Sequence, residues 1–254
     1  CPPPEGVAVF ADTHQSKVYD IVGGTLRLGR DDALPADSAV SVGAGAVFDL
    51  NGHNQTIGSL SGSGQVDLGS GNFTFGDADD TTFSGLIGGD GATGNVTKQG
   101  TGKVALTFGE RGSRFTAGAL NIDAGTLQID SFWASSSVTV ASGATLQGNG
   151  IIILAGVTVN SGGTLGPGGS TGQLICENGV TLKAGAYFDV ELNGTTAVTD
   201  YDQLVVDEGL DLGSANLNVT LGFTPSSGDT FTIIDNLWGA VTGTFNGLAE
   251  GATF

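Results

Sequence analysis

Apolar positions along this chain recur in one phrase. Two apolar residues stand one residue apart, a corner of glycine and small residues follows, and two more positions stand one residue apart. Val157 and Val159 precede Leu165 and Pro167; Val138 and Val140 precede Leu146; Val180 and Leu182 precede Phe188 and Val190. Val40 and Val42 precede Phe48 and Leu50, Leu120 and Ile122 precede Leu127 and Ile129, and Tyr19 and Ile21 precede Leu26 and Leu28. The step from the second apolar residue to the third is 5 or 6 in all six. Alternation of this kind has the period of a strand, so the paired residues point to one side. The corners read "VGAGAV", "NSGGT" and "KAGAY", and glycine suits them because corners often need φ > 0.

Consecutive phrases begin at 120, 138, 157 and 180, giving periods of 18, 19 and 23 residues. A period near 20 with strand–turn–strand content is the signature of a β-solenoid. Each turn stacks its strands in parallel on the turn before, at about 4.8 Å. No unit can bury its own apolar side, but its neighbours can. The predicted fold is therefore all-β, a parallel β-helix with rungs of about 18–23 residues and Val157, Leu165, Val180 and Phe188 inside. Tyr19 and Tyr187 fall in the phrase and read as packing residues. An antiparallel sandwich is the alternative, with hairpin signals in the Asn-Gly of "LNGHNQ" (50–55) and "ELNGTT" (191–196). A sandwich does not require the same phrase six times.

Three segments follow. Residues 1–18 form a leader or edge strand without the phrase. Residues 19–196 form the main solenoid, with 51–81 reading as a less regular insert. Residues 197–254 continue it with short strands, include a strand–turn–strand at 223–235, and end in "LAEGATF", which reads as a strand cut short.

Composition narrows the function. The 254 residues include 45 Gly but only 6 Pro, and 39% are hydrophobic, which argues against collagen and against disorder. Acidic residues number 26 against 8 basic ones, a net charge of −18. Nucleic acid is excluded as a partner, since phosphate is repelled, and an anionic lipid surface for the same reason. The charge reads as a solvated surface or as acidic loops for a divalent cation. No apolar run approaches a membrane span. Of the two cysteines, Cys176 alternates in a strand pattern and reads as a buried free thiol. Cys1 opens "CPPPEG". It reads either as an arbitrary boundary or as the lipid-carrying first residue of a lipoprotein, with the prolines as a stiff spacer.

Candidate chemistry is thin. Asp77, Asp79 and Asp80 are weak calcium candidates; Asp31-Asp32 and Asp207-Glu208 read as solvated loops. "GGDGATGN" (88–95) occurs once and reads as a turn. His14 and His53 are isolated, so neither a zinc set nor a Ser-His-Asp order can be argued. Asn54, Asn72, Asn95, Asn193 and Asn218 open Asn-x-Ser/Thr triplets, which chance explains in so Thr-rich a chain. No catalytic or cofactor-binding residue is assigned, and the expectation is a non-enzymatic protein. The alternative is a glycan-active enzyme, a lyase or hydrolase. It would need three or more carboxylates converging in one groove across adjacent rungs.

Residues 82–130 resemble the autotransporter-associated β-strand repeat. The matching pieces are Phe83-Ser84-Gly85, Thr97-Lys98, Gly100-Thr101-Gly102 and Ala124-Gly125-Thr126-Leu127, while "SRFTAGA" at 113–119 departs from the family's usual segment. Looser similarity to passenger segments extends over residues 19–254. The resemblance implies a right-handed parallel β-helix in a secreted or surface-displayed bacterial passenger. Such passengers act as stalks, adhesins or matrix components that contact glycans or cells.

A solenoid also has two open ends. Val241, Phe245, Leu248 and Phe254 at one end, and Val7, Val9 and Phe10 at the other, are strand-like and nearly uncharged. They are expected to support a homo-oligomer or filament by end-to-end strand pairing.

Overall fold

A computed structural model of the chain describes residues 6–10, 15–107, 115–116 and 118–252. The chain winds as a β-solenoid, all strand and turn, with no helix among the described residues. Its strands stack in parallel into three faces. A long face of ten strands runs from Val18–Ile21 to Asn216–Leu221. A second face of nine strands runs from Gln55–Thr56 to Val241–Thr242. The third is split into a five-stranded sheet, Val7–Phe10 to Leu86–Gly88, and a six-stranded one, Phe115–Thr116 to Ile234–Asn236.

The six phrases all point their apolar residues inward. Val157, Leu165, Val180 and Phe188 are buried, as are Val40, Val42, Phe48 and Leu50 at the other end of the stack. Each such side chain taken from water contributes about 1.5–3 kcal/mol. The columns are in register: Val138 lies beside Val157 and Val157 beside Val180. Yet the phrase does not always turn the same corner. Tyr19–Leu28 and Val40–Leu50 run from the long face to the split face, whereas the later four run from the nine-stranded face to the long face. Any two adjacent faces present the same problem, two short inward strands joined by a bend, so the same residues solve it.

Corners are built from residues that tolerate positive φ. Gly143, Gly162 and Gly185 stack at one corner with φ near 80°, Gly143 donating its N–H to Gly162 O and Gly162 to Gly185 O, both at 2.8 Å. Asn51 (φ 53°) and Gly52 (φ 79°) make another tight bend, closed by His53 N–H on Leu50 O at 2.8 Å. The Asn-Gly pair there joins two faces of the coil, not two strands of a hairpin.

A second corner carries a side-chain ladder. Asp31 Oδ1 accepts the N–H of Asn54 (3.0 Å), Asn54 Oδ1 that of Asn72 (2.9 Å), Asn72 Oδ1 that of Asn95 (3.0 Å) and Asn95 Oδ1 that of Ala119 (2.8 Å). Each side chain thus satisfies a backbone donor one turn further on. This accounts for three of the Asn-x-Thr triplets. The Asn holds the ladder, the middle residue (Gln55, Phe73, Val96) is buried, and the Thr faces out.

Several expectations need correction. Residues 51–81 are not an insert. They form regular turns whose strands, such as Gln55–Thr56 and Phe73–Phe75, are only two or three residues long and so leave little apolar pattern to read. The stretch 223–235 is no strand–turn–strand. Only Ile234–Asn236 pairs, with Leu204–Val206, while Phe231 packs against Tyr201 and Phe223 against Phe231. Tyr187 is exposed, because it stands one position before the inward Phe188. Finally, the last turns lengthen: Val180 pairs with Leu210 and Leu210 with Val241, steps of 30 and 31 residues.

Those extra residues leave at one corner. Between the long face and the split face the chain uses only residues 149–150 in one turn. It uses 168–172 in the next, then 193–202, then 222–233.

Candidate functional site

The lengthening loops overlook a groove on the long face. Four neighbouring strands, Ala144–Gly148, Thr164–Pro167, Tyr187–Leu192 and Asn216–Leu221, form its floor. Strand alternation turns Leu146, Leu165, Phe188 and Val190 into the core and leaves polar residues outside. One outward column reads Gln128, Gln147, Gly166; the next strands continue it with Asp189 and Asn218. At Gly166 the column has no side chain, and a cavity of about 300 Å³ opens there. Glu191 and Thr220 line it from the neighbouring column, and Gly168, Ser170 and Asp202 form its wall.

The wall is fixed by hydrogen bonds. Gly148 and Gly168 exchange two backbone bonds, at 3.0 and 2.8 Å. Asp202, only 2% exposed, accepts the N–H of Gly172 on Oδ1 (3.0 Å) and that of Glu191 on Oδ2 (2.7 Å). Burial pushes its carboxyl up to about 6. The two backbone hydrogen bonds oppose the shift, and the charge of Glu191 adds to it. On the floor, Asn218 donates to Asp189 Oδ1 at 2.8 Å, and Gln147 donates to Gln128 at 3.1 Å.

Three carboxylates therefore meet at one groove. A carboxyl raised to about 6 beside two other carboxylates is the kind of environment that sets up an acid–base pair. Here, however, Asp189 and Glu191 share one strand and Asp202 follows in the same turn, so the acids are not spread over stacked rungs. Both Asp202 oxygens already hold backbone donors. Its position is that of a brace between the loop at 168–172 and the strand Tyr187–Leu192.

The sequence candidates fall elsewhere. Asp77 Oδ1 accepts the N–H of Asp79 (2.9 Å), and Asp80 Oδ1 that of Lys103 (2.7 Å). Among the described residues no group of three or more His, Cys, Asp or Glu is arranged to hold a metal ion. His53 is not isolated: its Nδ1 lies 3.1 Å from Asp31 Oδ1. The Asn54 backbone N–H, and then His53, hold the Asp31 carboxyl below its ordinary range.

Lys98 was visible in the sequence only as part of a motif. Its side chain is fully buried in a core column between Phe75 and Ile122. The Nζ donates to the carbonyls of Gln99 (2.8 Å), Gly100 (3.0 Å) and Ala124 (3.0 Å). Burial pushes its pKa down, opposed by the charges of Asp77 and Asp80.

The residues expected to associate lie at opposite ends of the stack. Val9 is exposed, Val7 is half-buried, and Phe10 packs edge-on against Tyr19 at 6.0 Å. Val241 is exposed, Leu248 is half-buried, and Phe245 stacks on Phe188 at 5.9 Å. Trp238, 85% exposed, stands near Val241 in the chain and was not singled out by the phrase. Phe254 and Cys1 lie outside the described residues.

No protein-family profile matches the chain. Over 182 residues, 69% of its length, the chain is 31% identical to the adhesin BmaC autotransporter of Brucella suis biovar 1 (strain 1330). It spans 5% of the length of that protein.

Proposed function

We propose that this chain is a non-enzymatic adhesive β-solenoid of the bacterial cell surface or the extracellular space. The similarity to an autotransporter adhesin over 69% of the chain carries the proposal. The architecture is consistent with it: parallel stacking gives extended polar faces whose side chains repeat in register, such as Thr139, Thr158 and Thr181, and repeated contacts add through avidity. Beads coated with the protein should bind cultured animal cells or matrix-coated surfaces several-fold above beads carrying an unrelated β-solenoid. Binding equal to that control would overturn the proposal. A panel of pectin, alginate and neutral polysaccharides should show no turnover.

End-to-end pairing extends the proposal. Val7–Phe10 and Val18–Ile21 edge one end; Asn216–Leu221, Ile234–Asn236 and Val241–Thr242 edge the other. Open edges template pairing with another chain, and a head-to-tail contact need not close. Phe245 and Asn246 already lie over part of the second end, with Asn246 N–H on Ala215 O at 2.7 Å. A longer chain would cover either edge with its own next turn. Electron microscopy and light scattering of the full-length protein should show filaments; strictly monomeric particles at high concentration would rule them out.

A further inference from the structure

We infer that the notch at Gly166 binds a sugar unit of an uncharged or amine-bearing glycan. This rests on the adhesive reading above and assigns it a site.

Gly166 is a glycine that the backbone does not require. A Cβ there would meet only Asp189 O at 3.8 Å and Asp189 Cβ at 3.9 Å, ordinary contacts, and its φ lies outside the left-handed region. Its neighbours differ. At Gly148 and Gly168 φ is positive, and a Cβ would lie 2.2 and 1.9 Å from backbone oxygens. Those two are imposed by the fold, whereas Gly166 contributes only the space its missing side chain leaves.

The surroundings have the form of a binding site. Insertions in a repeat protein gather on one face, often the binding face, and here the loops at 168–172, 193–202 and 222–233 all leave the corner that borders this groove. They are tied to one another and to the floor. Tyr201 packs edge-on to Phe231 at 5.4 Å, Phe231 to Phe223 at 6.0 Å, and Asp202 ties the wall to the floor. Preorganised walls lower the ordering cost of binding. The cavity, about 300 Å³, lies at the small end of the range for ligand pockets.

The lining selects the ligand class. Asp189 and Glu191 offer charged acceptors, Thr145, Thr164 and Thr220 offer hydroxyls, and no Lys, Arg or His lines the cavity. Hydroxyl and ammonium donors suit such acceptors, and bonds to a carboxylate are stronger than neutral ones. Carboxylated or sulfated sugars would place like charges together. A peptide strand would seek an open sheet edge, whereas the strand that carries the notch, Thr164–Pro167, lies between Ala144–Gly148 and Tyr187–Leu192, two strands in from the edge at Asn216–Leu221. No aromatic residue lines the cavity, so single-site affinity should be weak.

Ligand-observed NMR on the whole chain tests this with cello-oligosaccharide, chitosan oligomer and alginate oligomer as probes. The first two should bind with millimolar dissociation constants and alginate should not. Gly166→Val, which fills the notch at an outward strand position, should weaken binding by about tenfold or more without lowering the melting temperature. Glu191→Gln should weaken it several-fold. Ser41→Val, outward on a distant strand of the same face, should leave it unchanged. Absence of binding to every probe, equal binding of alginate, or unchanged binding by Gly166→Val would overturn the inference. So would shortening of the oligomers in the same samples, which would indicate catalysis. Failure here with coated beads still adhering defeats the site alone; sugar binding without bead adhesion defeats the adhesive reading alone.

Discussion

The ammonium of Lys98 stands 3.0 Å from the carbonyl oxygen of Ala124, one turn further along the coil. With its bonds to Gln99 and Gly100, all three donors of a fully buried lysine are used. The cation thereby does for three corner carbonyls what a backbone N–H does elsewhere. Replacing a buried charge by an apolar residue can be neutral when its partners are removed as well. Here the carbonyls would remain. Lys98→Met should therefore lose about 2–4 kcal/mol of stability in urea unfolding. A loss under about 0.5 kcal/mol, within the usual range for surface substitutions, would show that the carbonyls are satisfied without it.

The asparagine ladder predicts a different pattern at Asn72. Its Oδ1 accepts the N–H of Asn95, and the side chain is exposed. Asn72→Ala leaves that donor to water and should cost about 1 kcal/mol. Asn72→Asp keeps an acceptor in place, as Asp31 does at the head of the ladder, and should cost little. Equal losses for both variants would mean that the side chain acts through something other than the accepted hydrogen bond.

Asp202 predicts a pH dependence. Its carboxyl is raised to about 6 in the folded chain from an ordinary 3.8, so the folded state binds its proton more tightly than the unfolded state. The resulting stability is present in full below about pH 4 and is lost as pH rises through about 6. Asp31 and Asp37, held low by Asn54 with His53 and by Lys17, act in the opposite sense, but only as pH falls below the ordinary carboxylate range. Between pH 7.5 and 5 the wild type should gain about 1–1.5 kcal/mol relative to Asp202→Asn, read by urea unfolding of both at each pH. A constant difference across that window would mean that Asp202 titrates normally.

The solenoid was legible because Val157, Leu165 and their counterparts repeat at a fixed step, and apolar periodicity is what burial selects. Other features leave no such trace. Lys98 occupies an inward position that hydrophobic pattern cannot flag, since only the three carbonyls gathered around it make a lysine tolerable there. Gly166 resembles the chain's other glycines until its neighbours reveal that no strain demands it. The groove unites Gln147, Asp189 and Asn218 from separate turns, and its wall depends on loops whose lengths carry no recurring residue. Tyr187 was misplaced by one position, which in a strand is the difference between core and solvent.

Cys176 offers a reporter of how the split face opens. It ends the strand Gln173–Cys176, beside Ile152 on one side and Val206 on the other, and is fully buried. Burial, with a further push from the charge of Asp207, raises its thiol to about 12. The thiolate is the reacting species, so at pH 8 a disulfide reagent should modify Cys176 only when the strand leaves the stack. In a Cys1→Ser background Cys176 is the single thiol. Labelling there should be slow in native buffer and fast in denaturing urea, with a rate that follows the population of the open form. Each turn of a solenoid contacts only its neighbours, so the opening free energy need not equal that of global unfolding. A smaller labelling free energy would show the turns from Gln173 to Asn236 fraying as a unit; an equal one would make the stack a single cooperative body. Rapid labelling of the native chain would overturn the burial of this thiol and the register of the strands on either side.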